Sequence, residues 1–460
     1  MTGRLTALVA AQVLYLAIGA GLLPLLGIAP TRETLVRRIG LAYLVGVAVI
    51  GALAANLALV HLTMGLLPLS LLAALSLALG IARLQRGSAG LRLDSPPRTF
   101  DRVSGTVAAA STAALVVLLA FATRAFVVKP LTEWDGWAIW GLKARALYDF
   151  GGTYGPVFTK YQPVTHPIFL PALEAVDHRA MGAYDATLVH VQLIAFAFGF
   201  AAAMWSLLRD RVPAGLIALG LLALLSASPV LKQLSSNLAD IPLAFFCAVG
   251  LVSLGRSLVT DESWPLVTAA LFFGSAMLTK SEGLLFALAG FVAAALVLAA
   301  RRDANRLARL AVSAFAATAL LVPWRVYLAL HDLRNPEYSI SNAFAPAYLV
   351  RHTDRVSPAV TRLWDEVWSG SWGVLVPLAL ASVLAALLAA RYSIAAFALL
   401  WALASFVGLV LIFWISVLPV QLTLTWTAGR VVDTLVVGSA GLALLLAGEA
   451  WTALRDPDVP

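Results

Sequence analysis

Glu133 and Asp135 stand two residues apart, just after a long apolar stretch, in the segment Glu133-Trp134-Asp135-Gly136-Trp137-Ala138-Ile139-Trp140. In an extended backbone the two carboxylates share one face. A carboxylate beside low-dielectric surroundings is held toward its neutral form unless cations oppose this. Such a group suits general-base work on an acceptor hydroxyl. Plain anchoring is the competing explanation, because Trp and nearby charges mark the ends of many membrane spans.

Four further constellations could carry chemistry. His166-Pro167 closes the extended segment Tyr161-Gln162-Pro163-Val164-Thr165. Asn237-Leu238-Ala239-Asp240-Ile241-Pro242 opens an apolar run, where Asp240 either caps a helix or faces a site. Thr279-Lys280-Ser281-Glu282-Gly283 joins two apolar runs. Its Lys280 and Glu282 form an internal ion pair, or Lys280 binds a phosphate. Arg430 follows Thr425-Trp426-Thr427-Ala428-Gly429, with Asp433 three residues on. Its guanidinium either snorkels or grips two phosphate oxygens at once. Neither Lys280 nor Arg430 has an obligatory partner in sequence, so removing either should leave folding little changed. No Walker loop, Rossmann glycine pattern or zinc-spaced His/Cys cluster is present.

The elements that must position these residues are membrane spans. The chain has 460 residues, of which 61% are hydrophobic and 12% charged. The mean hydropathy is +0.89. Soluble domains are nearer half apolar. The fold expected is an all-α polytopic membrane protein with about 13 transmembrane helices. They fall near 5–27, 39–60, 64–83, 107–128, 187–208, 214–231, 240–256, 264–279, 283–300, 309–330, 373–390, 393–418 and 431–448. The first stretch is longer than a signal-peptide core and reads as a retained span. The single cysteine, Cys247, excludes a disulfide within the chain and reads as a small core residue.

Arg placement sets the orientation. One set of short connectors carries Arg32, Arg37, Arg38, Arg83, Arg86, Arg92, Arg98, Arg102, Arg209, Arg211, Arg256, Arg301, Arg302, Arg306, Arg309, Arg391 and Arg455. The opposite set carries Arg4, Lys232, Lys280 and Arg430. The first set is therefore read as cytoplasmic, with the amino terminus outside and the carboxyl terminus inside. Asp135, His166, Asp240, Lys280, Glu282 and Arg430 then share the outward side. Two long segments also face outward, 129–186 and 331–372. The first holds two amphipathic surface helices, over 137–150 and 167–184, expected to lie at the membrane interface. The segment 83–102, with Pro96-Pro97, reads as a cytoplasmic linker.

With these residues in view, the chain resembles the GT-C superfamily of membrane glycosyltransferases. The likeness is to bacterial relatives of protein O-mannosyltransferases and to the aminoarabinose transferases of lipid A. It rests on the span followed by Glu-Trp-Asp and two surface helices, Ala-Asp-Ile-Pro at 239–242, and Thr-Lys-Ser-Glu-Gly at 279–283. Pro323-Trp324-Arg325 and Thr427-Ala428-Gly429-Arg430 complete it. The resemblance divides the chain into a three-span unit with its linker (1–104), a catalytic membrane module (105–330) and a loop with three spans (331–460). It covers 105–330 well and the rest loosely. Three spans ahead of the catalytic loop, and no large soluble carboxyl-terminal domain, depart from the family pattern.

The resemblance implies an inverting transfer from a polyprenyl-phosphate sugar to a glycan, lipid or protein acceptor, in the cell envelope of a bacterial inner membrane. It places the catalytic acidic residue at Asp135, the general base, and makes Asp240 a second site carboxylate. Glu133, His166, Asp240, Lys280, Glu282 and Arg430 become the substrate-binding set. Lys280 and Arg430 would hold the phosphate, with Asp135 about a sugar's width away. Glu133, Asp135 and Asp240 would be the ligands if Mg2+ or Mn2+ takes part. Trp137 and Trp140 would line the lipid or sugar path. One alternative is an O-antigen ligase or polymerase-like transferase using Arg351, His352 and Arg355 of the second loop. Another is a flippase or transporter of lipid-linked sugars, although the internal repeats common in transporters are not evident.

Overall fold

The computed structural model describes residues 2–86, 102–161 and 163–455. The linker residues Arg92, Arg98 and Pro96-Pro97, and Gln162 of the extended segment, lie outside the described residues. Within them the chain is helical, and the only β pairing is an isolated bridge between Tyr338 and Ser416. Among the described residues, ten helices are long and apolar enough to cross a membrane, or up to twelve if each of two bent pairs is one span. The bent pairs are Ala214–Leu225 with Ser228–Leu234, at 63°, and Thr353–Trp372 with Leu375–Leu388, at 102°. The remaining apolar segment, Trp264–Thr279, forms a shorter helix of 16 residues. At 5.4 Å per turn, such a helix falls short of a full hydrocarbon core without help from its flanks.

Helix Asp240–Val259 is the axis of the bundle. Every residue from Asp240 to Leu258 is buried. Helices Trp264–Thr279 and Val420–Arg455 pack closely along it. Its two ends carry different charge clusters. At the Arg256 end, Arg256 binds Glu262 at 2.9 Å and Asp210 at 3.4 Å. Arg38, from the connector after the first span, binds the same Glu262 at 2.9 Å. Both guanidiniums lie over the ring of Trp264, at 4.1 and 5.0 Å. Arg211 pairs with Glu449 at 2.6 Å nearby in the bundle. Shared carboxylates and cation–π contacts hold the first spans to the later ones here.

The first three spans pack tightly on one another. A Cβ on Gly19 would lie 1.7 Å from the Ala42 carbonyl oxygen, so only Gly permits that backbone approach. They also hold a helix from a distant segment, Phe169–Met181. This helix appears in the sequence as an interfacial amphipathic helix, but it is packed inside protein. Residues 169–178 and Met181 are all buried. Its polar face is covered by the first span: Tyr15 Oη donates to Asp177 Oδ1 at 2.7 Å, and Gln12 Nε2 donates to Oδ2 at 2.9 Å. Tyr43 Oη donates on to Gln12 Oε1 at 2.7 Å. Charged positions on one helix face met protein partners rather than water. The amino-terminal spans are thus part of the scaffold, continuous with the single main hydrophobic core.

The other surface helix, Leu142–Phe150, follows a π-helical turn at Gly136–Gly141. Gly151, at φ 80°, ends it, as Gly182 at φ 69° ends Phe169–Met181. Lys143 on this helix is buried, and its Nζ donates to the Pro163 carbonyl at 2.6 Å. Burial pushes its amine down from the usual lysine range to about 7. The folded protein therefore binds fewer protons than the unfolded chain between about pH 7 and the ordinary lysine pKa of roughly 10.4. Stability contributed by this site should rise with pH across that window. Subtracting the Lys143→Met unfolding curve from wild type, over pH 7 to 10, should isolate the rise. A flat difference would show that the amine is solvated in the folded state.

Candidate functional site

The site forms at the Asp240 end of the axial helix. Its positioning begins with the segment after span 102–126, which is pinned to the turn that leads into Asp240. Lys129 Nζ donates to Ser235 Oγ at 2.9 Å. Lys232 lies 3.9 Å from Glu133. Gly136 sits against Ser236, where an added Cβ would come within 2.0 Å of the carbonyl oxygen. This contact seats the π-helical turn and carries Asp135 to the bundle. π-Turns are rare and recur at functional sites. Asn237, buried and at φ 54°, reverses the chain just before Asp240. Asn tolerates that left-handed conformation better than most residues.

Four separated segments then meet. Arg430 Nη1 donates to Asp135 Oδ2, across 295 residues of chain. Lys280 Nζ donates to Asp240 Oδ1 at 2.7 Å and lies 3.1 Å from Glu282. Arg430 interacts electrostatically with Asp240 and Glu282 as well as Asp135, so the two ion pairs are one cluster. Lys280 and Asp240 are buried, with side-chain exposures of 7% and 3%. Asp135 and Arg430 are about a quarter exposed, at 26% and 25%. The cluster is thus sealed on the axial-helix side and open near Asp135. Arg430 has donors in reserve, among them its Nε, which is buried without a hydrogen-bond partner.

His166 lies beside this cluster, stacked on Trp140 with ring centroids 5.6 Å apart and planes 3° from parallel. Burial, then the charges of Lys280, Lys143 and Arg430, push its imidazole well below the usual histidine range. It is therefore neutral near pH 7, able to accept or donate one hydrogen bond. Trp140 is buried, whereas Trp134 and Trp137 meet edge to face at 5.0 Å and remain exposed. Trp140 therefore braces His166 and does not line an open path.

No protein-family model, curated protein or solved structure matches the chain. The chemistry of this site must be read from its own atoms.

Of the residues singled out in the sequence, Asp135, His166, Asp240, Lys280, Glu282 and Arg430 come together. Glu133 stands apart: it faces Lys232 and is 43% exposed, an arrangement worth little energetically. The separation expected between Asp135 and the cations is also corrected. Asp135 touches Arg430 directly, because a carboxylate and a guanidinium at the same low-dielectric edge neutralise each other. Nor do the carboxylates fit a divalent ion. Asp135 faces Arg430, Asp240 faces Lys280 and Glu133 faces Lys232. Among the described residues, no three His, Cys, Asp or Glu side chains cluster as metal ligands.

Sequence reasoning noted Asp433 without giving it a role and missed two further members, Glu337 and Glu366. Asp433, one turn beyond Arg430, is fully buried near Asp240, Lys280 and Arg430, and neither carboxylate oxygen has a hydrogen-bond partner. The i,i+3 spacing from Arg430 was the available signal. Glu337 and Glu366 arrive from the second long segment. Glu337 reaches the neighbourhood of Asp135, Lys280, Glu282 and Arg430. Glu366 approaches Gly429 and Asp433. In the same segment, the alternative catalytic residues are tied into local structure. Arg355 Nη1 donates to the Ser416 carbonyl and to Tyr348 Oη, and His352 Nδ1 bonds the Tyr348 carbonyl at 2.8 Å.

Proposed function

We propose that the protein is a GT-C-type membrane glycosyltransferase that moves a sugar from a polyprenyl-phosphate donor to a hydroxyl-bearing acceptor, with inversion. The observation that carries this reading is the convergence of Asp135, Asp240, Lys280 and Arg430 from four separated segments on one end of the bundle. Two cations side by side suit a phosphate, and a carboxylate at the open edge suits an acceptor proton. The excess of Arg on the opposite connectors favours an outward-facing site in a bacterial inner membrane, with the amino terminus outside.

In this reading Arg430 exchanges Asp135 for the donor phosphate, using the same Nη1 and its spare Nε. Lys280, held by Asp240 and Glu282, contributes its remaining donor. Asp135, released from its cation, takes the acceptor hydroxyl proton. The acceptor oxygen forms the new bond to the anomeric carbon. The bond from that carbon to the phosphate oxygen breaks, and polyprenyl phosphate leaves with the electron pair. Phosphate is already a competent leaving group, so the protein stabilises departing charge and needs no strong acid.

The test is incubation of the purified chain with a panel of radiolabelled polyprenyl-phosphate sugars, followed by product analysis. Label should move from the lipid to an acceptor or to water, with the anomeric configuration inverted. A chain that cleaves none of the donors is not this enzyme.

A further inference from the structure

Glu337 differs from the other carboxylates of the cluster. Asp135, Asp240 and Glu282 each contact a cation, and Asp433 is sealed. Glu337 is only half-buried, and among the described residues its carboxylate has neither a hydrogen-bond nor an ion-pair partner. Yet its backbone is fixed on both sides. Its N–H donates to Asn335 Oδ1 at 2.8 Å. Its carbonyl accepts from Val417 N at 2.7 Å and from Ser416 Oγ at 3.2 Å. The neighbouring bridge between Tyr338 and Ser416 completes the attachment. Main-chain anchoring of this density holds a side chain in place without using it. It lies within electrostatic reach of Glu282, Lys280, Asp135 and Arg430, and its neighbour Tyr338 hydrogen-bonds Ser281, between Lys280 and Glu282, so it borders the cluster. Burial, then the charge of Glu282, raises its carboxyl above the usual range.

We propose that Glu337 forms the acceptor subsite, taking hydrogen bonds from the hydroxyls of an uncharged, polyhydroxylated acceptor. The inference deepens the transferase reading and rests on it. The chemistry follows from charge. The two cations are committed to carboxylates and, in turn, to the donor phosphate. A bare carboxylate beside Asp135 and Glu282 repels a second anion but is a strong acceptor for hydroxyl donors. At the border of the cluster, it would orient the acceptor so that one hydroxyl meets the base. Anionic acceptors would be rejected by the same group that binds neutral ones, a common way to build specificity.

The experiment uses the purified full chain, a radiolabelled polyprenyl-phosphate sugar that wild type cleaves, and two nucleophiles. One is water alone. The other is the neutral and anionic glycan and lipid pools of a membrane extract, separated on an anion exchanger. Wild type should label the neutral pool. Glu337→Ala should lower the ratio of that transfer to hydrolysis by water by about tenfold or more, the size of one hydrogen bond to a charged group. Glu337→Gln, which keeps the shape, should retain part of the neutral transfer and gain labelling of the anionic pool. Unchanged transfer in Glu337→Ala, or equal loss of hydrolysis and transfer, overturns the subsite. Wild type inert toward every donor would instead bring down the transferase reading beneath it.

Discussion

Asp135→Asn should lower sugar transfer by about 100- to 10,000-fold, the range a general base contributes, while the protein folds normally. Asn keeps the size of the side chain, and its amide oxygen still accepts from Arg430. The pair is about a quarter exposed, so loss of one charge there costs the fold little. What disappears is the ability to take a proton. Donor affinity should hold or improve, because Arg430 no longer has to leave a carboxylate to reach the phosphate. Single-turnover rates and donor binding on the purified variant provide the check. A rate loss under about tenfold would mean another group takes the proton.

Lys280→Ala should lower stability by about 3–5 kcal/mol, the usual cost of breaking a buried pair from one side. This corrects the expectation from sequence that folding would change little, which saw Lys280 beside Glu282 alone. In the fold Lys280 also binds Asp240, and removing it leaves two carboxylates facing each other at a buried end of the axial helix. Asp240→Asn combined with Lys280→Met should recover much of that loss, since both charges go together. Thermal unfolding in one detergent across the single and double variants decides the matter. A Lys280→Ala melting temperature equal to wild type would show that the pair does not support the fold. Arg430→Ala, at the more open pair, should cost less stability and more donor affinity.

Much of the architecture was legible because apolar length reports membrane helices directly. The segments that depart from simple spans do so for local reasons. Ser228-Pro229 breaks 214–231 into a bent pair, and Gly373, at φ 56°, turns the chain ahead of 375–388. The last helix begins at Val420, so Arg430 lies inside it rather than ahead of it. Within the site, short-range pairs such as Lys280 with Glu282 were readable from spacing. The Asp135–Arg430 contact was not, since 295 residues separate the partners and either could have been an anchor. Glu337 sits in a loop of mixed polarity, where no periodicity marks a functional position. Phe169–Met181 misled for a different reason. A helix with Glu174, Asp177, His178 and Arg179 along it looks interfacial until its partners are known, and Tyr15 and Gln12 are 162 and 165 residues away from Asp177.

That distance has a consequence for biogenesis. A ribosome makes Gln12 and Tyr15 long before Asp177 exists, so the first spans enter the bilayer with their polar side chains unmatched. Until the later helix arrives, Gln12 must share hydrogen bonds within the nascent three-helix unit, through Tyr43, or stay near the insertion machinery. Docking of Phe169–Met181 is therefore a late event that closes the early spans around a polar latch. Variants such as Tyr15→Phe would be felt during assembly, as nascent chains that reach the membrane and fail to mature.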